Sequence, residues 1–261
     1  MPKFCANLSM LYTEYDFLDR FAAAAADGFS GVEYLGPYDH SETEVAAALN
    51  GAGLTQVLFN VPSGDWAGGE RGLLCLPDRI EEFRAGVDTA LHYAAALDCK
   101  QINCLAGIAP EGVPTAELDA TMIENLAYAA PRMEAAGIRL LLEPVNNRDI
   151  PGFHLSRVDH ALRIIEQVEH ANLWLQYDFY HAQIMQGDLV PTFERNQNRI
   201  AHIQIADHPG RHEPGTGEIH HPYLMQSLDR LGYDGWVGCE YKPRAGTSEG
   251  LAWMKDMGVK A

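Results

Sequence analysis

The chain has 261 residues, 47% of them hydrophobic and 21% charged, with 19 Lys and Arg set against 36 Asp and Glu for a formal charge of −17. An α/β barrel of this length commonly forms one domain, with a core large enough to need no covalent staples. So acidic a surface repels phosphate backbones and anionic membranes, which argues against nucleic-acid and membrane partners.

In chain order, the first short apolar run covers residues 4–9, and a second follows Gly28 at 31–35. Ser41-Glu42-Thr43-Glu44 reads as a capping box, with Gly51 marking the stop of the helix it opens. A third strand is expected at 55–60. Beyond it, VPSGDWAGGERGLLCLP at 61–77 is the longest irregular stretch, and loops of this length in compact domains are usually functional; it is a candidate active-site lid. Pro77 to Glu81 reads as a capped helix start, after which Ile80, Phe83, Val87, Leu91 and Ala94 recur at helical steps. Strand four follows at 101–105, and Thr115 opens a helix running through Met122, Leu126 and Met133 to a break at Gly137. The last four strands are expected at 139–143, 173–178, 201–206 and 235–240. Gly28, Gly53, Gly137 and Gly232 punctuate the helix-to-strand turns.

Short strands alternating with helices predict an α/β chain, folded as a single (β/α)8 TIM barrel over residues 1–261. An open doubly wound sheet is the rival pattern. No G-x-G-x-x-G follows the first strand, which counts against a nucleotide or redox cofactor. The five cysteines show no C-x-x-C spacing and read as reduced thiols of a cytoplasmic protein. The opening residues have no signal-peptide pattern, and no apolar run suggests a membrane span.

The last four strands each carry, at or near their ends, a side chain able to hold a cation: Glu143, Asp178, Gln204 and Glu240. In a barrel these ends converge on one face. Three carboxylates and an amide oxygen suit Mg²⁺ or Mn²⁺ better than Zn²⁺, and a dication offsets the repulsion among the acids. His181, three residues beyond Asp178, can face the same cavity; Arg211, Lys242 and the lid residue Arg71 are further candidates for contacting an anionic substrate. His220 and His221 are placed on the loop before the next helix, and Glu33 ends strand two with no role assigned. His212-Glu213-Pro214 lacks the second histidine of H-E-x-x-H, and Ser63-Gly64-Asp65 is no nucleophile elbow. A dication that binds a 2-keto, 3-hydroxy fragment acidifies the adjacent C–H. Glu143 and Glu240, on opposite parts of the mouth, can then remove and return a proton, which supports isomerisation or epimerisation.

FCANLSMLYTEYDFLDRF, SGDWAGGERGLLCLP, LLLEPVNNRDIPGFHL, LQYDFYHAQIMQGDL, HIQIADHPGRHEPGTGEI and GWVGCEYKPR together make the chain resemble the hydroxypyruvate isomerase family of the xylose-isomerase-like barrels. The resemblance runs from the N-terminus to about Trp253. It implies a (β/α)8 fold and interconversion of hydroxypyruvate, a small anionic keto acid, with tartronate semialdehyde. It also implies Glu143 and Glu240 as acid/base pair, with Glu143, Asp178, Gln204 and Glu240 as metal positions. His181 and Arg211 match substrate contacts of related ketose 3-epimerases, which usually carry histidine where this chain has Gln204. An isomerase of a longer acid such as 2-oxo-tetronate, or a ketose 3-epimerase, shares these motifs, and a homo-oligomer stays open. The DNA-repair branch of these barrels needs a histidine-rich zinc cluster and a DNA-binding surface, which the charge of −17 disfavours.

Overall fold

Strands this short and apolar must be covered on both faces, by helices outside and by one another inside. A computed structural model describes residues 3–256 and joins the strands into a closed parallel barrel. They are β1 (Lys3–Asn7), β2 (Gly31–Glu33), β3 (Thr55–Asn60), β4 (Gln101–Cys104), β5 (Arg139–Leu142), β6 (Leu173–Asp178), β7 (Ile200–Ile205) and β8 (Trp236–Cys239). Each pairs with its neighbour in sequence, and β1 closes the ring against β8 with Ala6 beside Cys239. Every expected strand boundary lies within two residues of the observed one.

The helices are α1 (Arg20–Ala26), α2 (Glu42–Gly51), α3 (Ile80–Leu97), α4 (Thr115–Ala135), α5 (Val158–Val168), α6 (Phe179–Met185), α7 (Leu189–Asn196), α8 (His221–Arg230), α9 (Thr247–Gly250) and α10 (Ala252–Asp256). Ser41 and Glu44 form the expected capping box at the start of α2. The start of α3 differs from expectation: no side chain caps it, and a 3₁₀ turn over Pro77–Arg79 leads into the helix. Proline fixes the turn's φ there without forfeiting a needed donor. His221 also departs from the expected loop; it is the first residue of α8 and is buried, while His220 caps that helix by accepting from the Tyr223 N–H at 3.1 Å. Gly28, Gly53, Gly137 and Gly232 all have φ between 68° and 92°, a region that side chains with a Cβ avoid, so helix-to-strand reversal there depends on glycine.

The main core lies between the barrel wall and the helices, with Phe83, Val87 and Ala94 of α3 among its members. A smaller apolar cluster of Cys5, Val57, Leu58, Leu141 and Ala201, with Trp174 and Trp236 packed against it, is separate from this core. The five cysteines are buried and unpaired. Among the described residues, no helix is long and apolar enough to cross a membrane.

Candidate active site

Side chains alternate across a strand, so residues two apart share the inside of a barrel. Asn7, Glu33, Asn103, Gln176 and Gln204 therefore face the barrel interior as the strand-end acids do, and all are buried. Buried polar groups need partners, and here most find them in one another, while Asn103 Oδ1 and Gln176 Oε1 have none. The Asn7 amide donates to Glu33 at 3.0 Å and to Glu240 at 3.2 Å. Asn103 donates to Asn60 and Glu143, each at 3.1 Å. Glu33 also accepts from Gln204 at 2.7 Å and meets His202 Nε2 at 2.7 Å. Burial opposes charge on Glu33, but the His202 imidazole and these donors hold its carboxyl below the ordinary range. Space for Glu33 comes from Gly238, where an added Cβ would sit 2.3 Å from Glu33 Oε1.

Above this belt, at the C-terminal mouth, ligand atoms of Glu143, Asp178, His181 and Glu240 all lie within 4.8 Å of one another. Asp178 ends β6 and caps α6, its Oδ1 accepting from the Tyr180 N–H at 2.6 Å. Its Oδ2 is buried without a hydrogen-bond partner. Burial pushes Asp178 up to about 6, with Arg211 opposing, and pushes Glu240 up to about 8, again with Arg211 opposing. Glu143 is raised well above the carboxylate range by burial, then by Glu240 and Asp178. An orphaned carboxylate oxygen amid acids that repel one another is the donor arrangement a dication satisfies, so the residues fit one.

His181 stands first in the middle of this group. Its Nδ1 is 2.7 Å from the Asn146 amide nitrogen, which places the ring proton on Nε2, 3.6 Å from Asp178 Oδ2. Burial, then Arg211, lowers its pKa well below the usual histidine value, so the ring stays a neutral donor. The Arg211 guanidinium pairs with Glu240 and reaches Asp178 at 3.9 Å and His181 Nε2 at 3.5 Å. Burial disfavours its charge, but Glu240, Asp178 and Glu143 more than compensate.

Arg211 owes its position to the loop between β7 and α8. The buried Asp207 carboxylate accepts from the N–H groups of His208 at 2.9 Å, Gly215 at 2.9 Å, Gly217 at 2.8 Å and Ile219 at 3.0 Å. The loop thus folds round one side chain, and Arg211 sits in it with φ of 57°.

The other residues expected at the site are placed differently. Gln204 accepts from Gln176 at 2.6 Å through its Oε1 while its Nε2 serves Glu33, so its amide belongs to the belt under the acids. The Lys242 side chain is exposed, whereas its backbone N–H donates to the Arg211 carbonyl at 2.7 Å. Arg71 donates to the Trp66 and Glu70 carbonyls and lies 4.1 Å over the Trp66 ring. Within the 61–77 segment, Leu73, Leu74 and Cys75 are buried and Asn125 of α4 holds the Leu74 carbonyl at 3.0 Å, while Trp66 is 39% exposed. The contacts of Asn7, Asn103, Asn146 and His202 were not foreseen; a polar residue inside an otherwise apolar strand is the signal that marks the inner ones.

The family model described as Xylose isomerase-like TIM barrel matches residues 21–257. The chain belongs to this family. A 2-oxo-tetronate isomerase of Cupriavidus necator is 52% identical over 98% of this chain and 98% of its own length. A hydroxypyruvate isomerase of Escherichia coli K12 is 51% identical over 97% and 98% respectively. A solved structure from Brucella melitensis, described as AP endonuclease, family 2, superposes with a TM-score of 0.95 at 48% identity, covering 98% of this chain and 99% of that one. This xylose isomerase-like barrel thus matches its relatives from end to end.

Proposed function

We propose that this barrel isomerises short 2-keto, 3-hydroxy acids, interconverting hydroxypyruvate and tartronate semialdehyde (2-hydroxy-3-oxopropanoate). The carrying observation is the pair Glu143 and Glu240, two buried carboxyls in one cluster that burial raises above the ordinary carboxylate range. Such groups exchange protons with carbon acids more readily than ordinary surface carboxylates. Glu143, Asp178 and Glu240 would hold Mg²⁺ or Mn²⁺, and Gln204 would join them only by turning its Oε1 away from Gln176. When bound, the dication supplies Lewis-acid charge that acidifies the C–H beside the carbonyl.

In the forward direction one glutamate takes a proton from C3 of hydroxypyruvate and the other delivers one to C2, while the hydroxyl proton passes from O3 to O2. The product has the same atoms with carbonyl and carbinol exchanged, so no redox cofactor enters. His181, a neutral Nε2–H donor, orients a substrate oxygen, and Arg211 meets the carboxylate. Arg71 and Lys242 remain candidates for that anion from the lid and from the exposed rim. The 61–77 segment serves as lid through its exposed Trp66 end, while its buried end anchors it. The unpaired buried thiols and the acidic surface fit a cytoplasmic setting.

The name of the Cupriavidus relative gives a second reading, a one-carbon-longer acid using the same fragment. The name of the Brucella structure would give a DNA-repair role. A charge of −17 opposes it, as does a mouth cluster with three acids to one histidine. The deciding measurement is turnover of hydroxypyruvate, 2-oxo-tetronate and free ketoses by chelated protein, with Mg²⁺ or Mn²⁺ restored. In D₂O the tartronate semialdehyde formed should carry deuterium at C2. No conversion of hydroxypyruvate with either ion would end the reading.

A further inference from the structure

A second group of ligand-type side chains lies outside the barrel, away from the mouth cluster. Asp119 of α4, His154 of the loop after β5 and His160 in the first turn of α5 place their ligand atoms within 4.8 Å of one another. Both imidazoles aim Nε2 at the same Asp119 oxygen, at 2.7 Å from His154 and 2.9 Å from His160. Their rings lie 5.5 Å apart, nearly edge to face. The imidazoles are largely covered, at 5% and 15% exposure, whereas the Asp119 side chain is 28% exposed, which leaves a side open to water. Among the described residues, no arginine or lysine forms an ion pair with Asp119, whose partners are His154 and His160.

We infer that Asp119, His154 and His160 form a binding site for a borderline dication such as Zn²⁺ or Co²⁺. Two imidazole nitrogens and a carboxylate oxygen favour those ions, with water completing a tetrahedron. The oxygen-rich mouth cluster favours a harder ion, so one chain carries two sites of different taste. Ligand atoms of a tetrahedral zinc lie about 3.3 Å apart, so the group opens only slightly on binding. The bound ion ties α4 and α5 to the loop that also carries Asn146, the partner of His181.

Metal-stripped protein is titrated with Zn²⁺ by calorimetry and with Co²⁺ by visible absorption. Asp178→Asn, which impairs the mouth cluster, should retain one tight equivalent. His160→Gln, which keeps an N–H for Asp119, and Asp119→Asn should lose it while retaining native circular dichroism. At a hundredfold excess of Zn²⁺ over Kd, the melting temperature should rise by about 5 °C or more in wild type and Asp178→Asn. It should not rise through this site in His160→Gln. Unchanged zinc stoichiometry in both His160→Gln and Asp119→Asn would overturn the assignment, as would loss of the equivalent in Asp178→Asn alone.

Discussion

Glu240 has more asked of it than any other side chain. It accepts from Asn7, pairs with Arg211, and shares a cluster of less than 5 Å with two other acids and His181. Replacing its carboxylate by an amide keeps the volume and the Asn7 contact but removes the proposed proton carrier. Glu240→Gln should therefore fold normally and lose turnover by about 10²–10⁴-fold, mainly in kcat. Steady-state kinetics beside circular dichroism tests this, and wild-type kcat would remove Glu240 from proton transfer. Arg211 invites the complementary substitution. Arg211→Met should raise KM for the acid more than it lowers kcat, as the proposed contact of the guanidinium with the non-reacting carboxylate requires. A pure kcat loss would move Arg211 into the chemical step.

At the scale of elements, β8 is selected for room as much as for pairing. Gly238→Ala sets a methyl against Glu33, and overpacking of this kind costs about 1–3 kcal/mol. The melting temperature should fall by several degrees and turnover with it, since Glu33 holds Asn7 and Gln204; an unaltered melt would show that Glu33 is free to move. The strands themselves were legible because apolar runs, capping residues and glycines repeat along the chain, and because all eight expected runs occur as strands. Glu143, Asp178 and Glu240 could be read as strand-end acids for the same reason. What stayed hidden depends on closure. Asn7 touches Glu240 only because β1 and β8, 233 residues apart, become neighbours. The placing of Gln204 turned on whether its amide faced the mouth or Gln176, and strand periodicity does not distinguish these. Likewise, nothing in local spacing shows that Arg71 spends its donors on lid carbonyls.

For the whole molecule, the mouth acids set a pH dependence of stability. Asp178 at about 6 and Glu240 at about 8 bind protons in the native state that the unfolded chain has released. The native state therefore holds more protons than the unfolded one, and stability falls as pH rises from roughly 4.5 toward 8. Glu33, held low, has the opposite sign: its contribution is lost as pH falls through the acid range. Chelated protein should melt at a higher temperature near pH 5 than near pH 8, and added Mg²⁺ should narrow the gap by compensating the exposed charge. A melt insensitive to pH across this window would contradict the burial of these acids. The loop wrapped round Asp207 has a different consequence. Its shape comes from its own amides gathered on one carboxylate, and it is moored to the chain after β8 by bonds such as Lys242 N–H to the Arg211 carbonyl. It is thus a replaceable part: exchanging residues 208–218 can re-aim the Arg211 guanidinium toward a longer or shorter acid while the strand ends keep their chemistry.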